Sequence, residues 1–151
     1  MKKLLTLFVI LGITSCTNET TDSEIVSIDK DKTYNWRLVT SWPKNYPGLG
    51  MAPERIADLV EEMSDGQMTI TVYGAEEQVP AFGVFDAVSS GSHQMGHSGG
   101  YFWKGKVPAA QFFTSVPFGL TADEINAWVN RGGGLELWRE IYEPFNIYPI
   151  P

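Results

Sequence analysis

Between Tyr34 and Tyr73 the spacing of apolar residues changes from the period of a strand to that of a helix and back again. That switching confines the chain to architectures that alternate strands with helices. The segment Tyr34-Asn-Trp-Arg-Leu-Val-Thr-Ser41 has the aromatic and β-branched content of a strand, and Pro43 with Tyr46-Pro47-Gly48 turns it into a loop. Pro53 suits the first turn of a helix, and Ile56, Leu59, Val60 and Met63 follow at i, i+3, i+4 and i+7, with closure at Gly66. Met68-Thr-Ile-Thr-Val-Tyr73 then alternates at period two. The opening reads β-α-β.

After a loop over Gly74 to Pro80, Phe82, Phe85 and Val88 fall on one helical face that Ser89-Ser90-Gly91 ends. His93-Gln-Met-Gly-His97 reads as a third, buried strand running into Ser98-Gly99-Gly100. Such a β-α-β-α-β order favours a parallel sheet with right-handed crossovers and helices on both faces. Thr121-Ala-Asp-Glu124 has the form of a capping box, in which the Thr hydroxyl takes a backbone N–H while the Glu reaches back. A helix carrying Trp128 and Val129 follows, then Gly132-Gly133-Gly134, then a second helix with Leu135, Trp138, Ile141 and Tyr142. Tyr142 to Pro151 alternates as the entry to a strand would, so the chain is expected to be a fragment of a longer one.

The N-terminal end carries a different signal. Met1-Lys2-Lys3, the apolar run Leu4 to Ile13, and Thr14-Ser15 before Cys16 have the layout of a lipoprotein signal peptide. The run is shorter than the roughly 20 residues that a spanning helix needs, so residues 1–15 are expected to be removed and Cys16 to be lipidated. An ordinary cleaved signal, or a buried strand with an incidental cysteine, is the plainer alternative. Residues 16–33, rich in Thr, Ser, Asp, Glu and Lys, read as a flexible tether, leaving 34–151 as one incomplete α/β lobe. Cys16 is the single cysteine, so the lobe has no internal disulfide and must rest on packing. Without residues 1–15 the chain keeps 9 of its 11 basic side chains against 18 acidic ones, which disfavours nucleic acid and anionic lipid surfaces as partners.

Candidate chemistry is sparse. His93 and His97 are four apart, as in helical zinc sites of the H-E-x-x-H type, but Gln94 stands where the glutamate base would, and Gly96, Gly99 and Gly100 oppose a helix. Ordinary hydrogen bonding of one or both histidines at a strand end is the better expectation. No serine sits in a G-x-S-x-G elbow, and neither Gly48-Leu49-Gly50 nor Gly132-Gly133-Gly134 has the remaining residues of a phosphate loop. More informative are the loops that follow the three strands. In open parallel sheets ligands bind outside the carboxyl ends of the strands, and there Trp42, Gln78 to Pro80, and Tyr101 within Tyr101-Phe-Trp-Lys-Gly-Lys106 are expected to converge. Aromatic walls with a few polar donors suit a small organic acid; core packing is the competing role for each aromatic.

The ordered set W-R-L-V-T-S-W-P-K (Trp36 to Lys44), Q-V-P (Gln78 to Pro80), F-D-A-V-S-S-G (Phe85 to Gly91), G-Y-F-W-K-G-K (Gly100 to Lys106), V-P-F-G-L-T-A (Val116 to Ala122), I-N-A-W (Ile125 to Trp128) and the triple glycine resembles a known family. It is similar to the substrate-binding proteins of tripartite ATP-independent periplasmic (TRAP) transporters, the DctP-like group, and within it those of the 2-oxo acid type. The resemblance runs from Tyr34 to Pro151 and implies an α/β, periplasmic-binding-protein type II-like lobe, truncated, with a parallel-rich sheet and helices on both faces. It implies a non-enzymatic periplasmic receptor that closes two lobes over a small 2-oxo or 2-hydroxy carboxylate and passes it to membrane-embedded transporter subunits, to which the Cys16 reading adds a lipid anchor. No cofactor is implied beyond a cation that can accompany the ligand. The family's ligand-pairing arginine, its N-T-G-x-Q-like glutamine and its cation ligands belong to later sequence, so no metal ligand or clamp is carried over to Arg37, Arg55, Arg131 or Arg139. The residues carried over are the wall formed by Trp42, Gln78, Tyr101 and His97. The alternatives left open are an exported metal-dependent hydrolase using His93 and His97, and a non-catalytic envelope interaction lipoprotein.

Overall fold

The computed structural model describes residues 32–151. The leader over 1–15, Cys16 and nearly all of the 16–33 tether lie outside the described residues. Three strands, β1 (Tyr34–Thr40), β2 (Met68–Tyr73) and β3 (Met95–His97), form a parallel sheet in the order β2-β1-β3. The connections carry α1 (Met51–Met63) between β1 and β2 and α2 (Val84–Ser89) between β2 and β3. Adjacent residues of a strand face opposite ways, and β1 shows what that does. Leu38 packs with Ala57 of α1 and with Ile70 and Val72, whereas Val39 packs with Val84 and Ala87 of α2. The two helices therefore cover opposite faces, and Leu38 and Val39, 2% and 1% exposed, each contribute about 2 kcal/mol of apolar burial.

Several elements differ in detail from the sequence expectation. Pro53 and Ala57 are the buried residues of α1, while Ile56 is 46% and Met63 77% exposed. Ala57 packs on the sheet with Val60 beside it, whereas Ile56 and Met63 are turned towards solvent. Phe82 sits in a separate 3₁₀ turn (Ala81–Gly83) and is 70% exposed, so it does not share the face of Phe85, which is buried. β3 is only three residues long, and His93, although buried, precedes it. Gly96 in β3 is required by contact: a Cβ there would stand 2.8 Å from Val84 Cγ1 and 2.9 Å from Val88 Cγ2.

A second core gathers Phe85, Val107, Ala110 and Tyr142, flanked by Trp103, Trp138 and Phe145. It is closed by α3 (Ala122–Arg131) and α4 (Gly134–Tyr142). Phe113 stacks between Trp128 and Trp138 at 5.3 and 5.2 Å, which joins the two helices. α3 begins with the expected capping box of Thr121 and Glu124, and Gly133 at φ 85° lets the chain turn sharply into α4. The alternating segment after Tyr142 is not a strand. Glu143–Phe145 is a 3₁₀ turn, and Ile147 to Pro151 has no regular structure. Pro144 and Pro149 offer no N–H to a ladder, and Phe145 packs instead on Phe85 at 5.3 Å.

Candidate functional site

The carboxyl ends of the three strands are stitched into one rim by polar contacts. Ser41 N–H donates to His97 O at 3.1 Å, linking the exits of β1 and β3, and Ala75 N–H donates to Trp42 O at 3.0 Å, linking those of β1 and β2. Ser41 Oγ donates its hydrogen to Ala81 O at 2.7 Å, so the 2.5 Å contact between Ser98 Oγ and Ser41 Oγ is a donation from Ser98.

Rings gather on this scaffold. Trp42 lies 5.0 Å from His97 and 6.0 Å from Phe102; Phe102 lies 4.6 Å from Tyr101 and 5.2 Å from Phe82. A 3₁₀ turn over Gly100–Trp103 explains how three consecutive aromatics serve two purposes, since at three residues per turn successive side chains point about 120° apart. Tyr101 and Phe102 join the rim, whereas Trp103 turns into the core, 5.2 Å from Phe85 and with its indole N–H donating to Tyr142 Oη at 2.7 Å. Gly99 leaves room for the phenol: a Cβ there would be 2.5 Å from the Tyr101 ring.

Of the four wall residues expected from sequence, Trp42 and His97 are in direct contact, and Tyr101 joins them through Phe102. Gln78 is exposed on the loop after β2, and no hydrogen bond or ring contact ties it to the other three. Phe102, the ring that joins Trp42 to both Tyr101 and Phe82, and Thr40, buried beneath them, were not singled out by sequence. The aromatic triplet was the available signal for Phe102, but which of its rings turns outward depends on the 3₁₀ geometry. Thr40 reads in the sequence as one more β-branched strand residue.

The rings of the rim carry no charge, while Glu76 on the neighbouring loop accepts from the Ala81 N–H. Burial pushes the pKa of His97 down, which leaves it an uncharged imidazole at neutral pH, with Nδ1 3.2 Å from Thr40 Oγ1. His93 is also lowered, first by burial and then by the Arg37 charge, but it belongs to another environment: Nδ1 lies 3.2 Å from Ser92 Oγ and the ring meets the edge of Tyr73. Arg37 is engaged with Ser92 O at 2.5 Å, and Lys44 pairs with Glu77 at 3.5 Å. Among the described residues no three of His, Cys, Asp and Glu gather as a metal site would require. Ser98 bonds Ser41 and not His97, so the rim holds no serine–histidine pair. Two grooves, of about 410 Å³ beside Arg139 and Tyr148 and about 280 Å³ beside Phe112 and Trp128, lie away from these rings. The rim is an open wall, able to stack a flat ligand and offer it one neutral donor nitrogen and a phenol.

Residues 38–149 match the family described as bacterial extracellular solute-binding protein, family 7. The chain is 41% identical over 140 residues to a monocarboxylate 2-oxoacid-binding periplasmic protein from Nostoc sp., an alignment covering 93% of this chain and 37% of that protein. A TRAP periplasmic solute-binding protein from Pseudoalteromonas atlantica, solved with bound sodium and pyruvate, superposes with a TM-score of 0.77 at 48% identity, over 80% of this chain and 36% of that one. Another from Colwellia psychrerythraea, with bound calcium and pyruvate, gives 0.77 at 44% identity over 80% and 37%. The α/β architecture is thus that of periplasmic binding proteins of this kind, and the chain spans a little over a third of the length of these relatives.

Proposed function

Because this chain belongs to the bacterial extracellular solute-binding proteins of family 7, we propose that residues 34–151 are ligand-facing structure from the first lobe of a TRAP-transporter receptor. The observation that carries the reading is the run of contacts Trp42–His97 and Trp42–Phe102–Tyr101 across the carboxyl ends of β1 and β3. A wall of that composition suits one flat face of a small 2-oxo or 2-hydroxy monocarboxylate. Pyruvate is the natural probe, since it occupies both similar structures.

The wall is neutral, so the carboxylate's counter-charge has to come from a second lobe, where a bidentate arginine would be the strongest contact. Closing two lobes over the ligand excludes water and strengthens such charge-assisted bonds. The protein binds and releases without making or breaking covalent bonds in its ligand. Sodium or calcium accompanies pyruvate in the two similar structures, and a cation here would take its ligands from outside the described residues. On this reading the receptor works in the periplasm, anchored through lipid on Cys16 by the tether 16–33, and hands its ligand to membrane-embedded transporter subunits. Gln78, exposed on the loop after β2, is proposed as a further polar contact to the ligand at the edge of this wall.

In this 151-residue chain, pyruvate is expected to bind more weakly than about 1 mM, a gap of about 4 kcal/mol from the standard state. NMR titration should move the resonances of Trp42, His97, Tyr101 and Phe102 and few others. Micromolar affinity by calorimetry in this chain would overturn the need for a second lobe, and perturbations confined to another surface would overturn the site.

A further inference from the structure

Thr40 is 1% exposed, and its hydroxyl has two neighbours: the Trp42 N–H, which donates to Oγ1 at 3.2 Å, and His97 Nδ1, also at 3.2 Å. A hydroxyl has one hydrogen to give, and a buried donor without an acceptor is costly. If Nδ1 carried a hydrogen, Oγ1 would receive two N–H groups while its own hydrogen, sealed from water, had no acceptor among its described partners. With Nδ1 bare, every group is satisfied: Trp42 N–H gives to Oγ1, and Oγ1–H gives to Nδ1. The imidazole is neutral, so its hydrogen then resides on Nε2, which has no partner among the described residues.

We propose that Thr40 is a positioning residue which locks His97 in the tautomer with its hydrogen on Nε2, presenting that N–H beside Trp42 as a neutral donor to an acceptor oxygen of the bound carboxylate. The same hydroxyl also fixes the Trp42 backbone through the N–H that it accepts, so one buried side chain sets both the indole's departure from β1 and the proton position of its neighbour. The assignment of a ligand oxygen to this donor rests on the receptor reading; the tautomer does not.

Long-range proton–nitrogen correlation NMR on the ¹⁵N-labelled 151-residue chain reads the tautomer directly. Nδ1 is expected to be bare and Nε2 protonated in the wild type and in Thr40→Ser, which keeps the hydroxyl, while Thr40→Val should give a mixture of tautomers. Pyruvate should then shift the Nε2–H resonance without altering the tautomer. A protonated Nδ1 in the wild type overturns the lock, as does an unchanged tautomer in Thr40→Val; the wild-type spectrum decides even if the valine variant fails to fold. Pyruvate that leaves His97 untouched, with the tautomer as expected, supports the lock and counts against the receptor reading of this rim.

Discussion

Both histidines resist protonation in the folded chain, by burial at His97 and by burial followed by Arg37 at His93. An unfolded chain takes up these protons near the ordinary value of 6.5, so their contribution is complete above that pH and is lost as the pH falls beneath it. The urea midpoint is therefore expected to drop between about pH 7.5 and pH 5.5, and His93→Gln or His97→Gln should each flatten the decline. A midpoint constant across that window contradicts the claim. Glu124 works in the same direction at more acid pH, since its bonds with Thr121 lower its pKa from the ordinary 4.5. Gly96 makes a sharper test of packing. A methyl there would meet two valine side chains of α2 at under 3 Å, so Gly96→Ala should cost about 1–3 kcal/mol in denaturant unfolding. Adding Val84→Ala should recover part of that loss.

Among the elements, those set by local rules were legible in the sequence. β2 matches its alternating pattern from Met68 to Tyr73, and α3 starts where the Thr121–Glu124 box places it, because strand period and cap chemistry act within a few residues. Removing the cap with Thr121→Ala should lower stability by about 1 kcal/mol, seen as a lower thermal midpoint, while Thr121→Ser should restore it. What sequence could not resolve was orientation. The spacing of Ile56, Leu59, Val60 and Met63 announced α1 but only part of its face, since Val60 packs on the sheet beside Ala57 while Ile56 and Met63 are exposed. The strand-end rule pointed to Trp42, Gln78 to Pro80 and Tyr101; it could not tell that Gln78 would stand apart from the rings, that a 3₁₀ turn would make Phe102 the link between Trp42 and Tyr101, or that Thr40 would lie under both Trp42 and His97.

For the molecule as a whole, apolar surface remains open in several places: Met63 at 77%, Phe112 at 57%, Leu120 at 52%, and Phe118 fully exposed at φ 59°, where a large side chain is an uncommon choice. The outer edges of β2 and β3 are also unpaired among the described residues, and such edges invite pairing between chains. The chain is accordingly expected to self-associate as its concentration rises, measured by sedimentation velocity. Phe118→Asn, which suits a positive φ, together with Met63→Lys should reduce that association; unchanged sedimentation of the double variant would show that other surfaces drive it. The strand order β2-β1-β3 has one more outcome, in the direction of synthesis. The strand that ends up innermost leaves the ribosome first and stays without either neighbour until about thirty more residues have followed, some seconds at ordinary elongation rates. During that interval Leu38 and Val39, later buried against both neighbours' helices, are open to a holding chaperone.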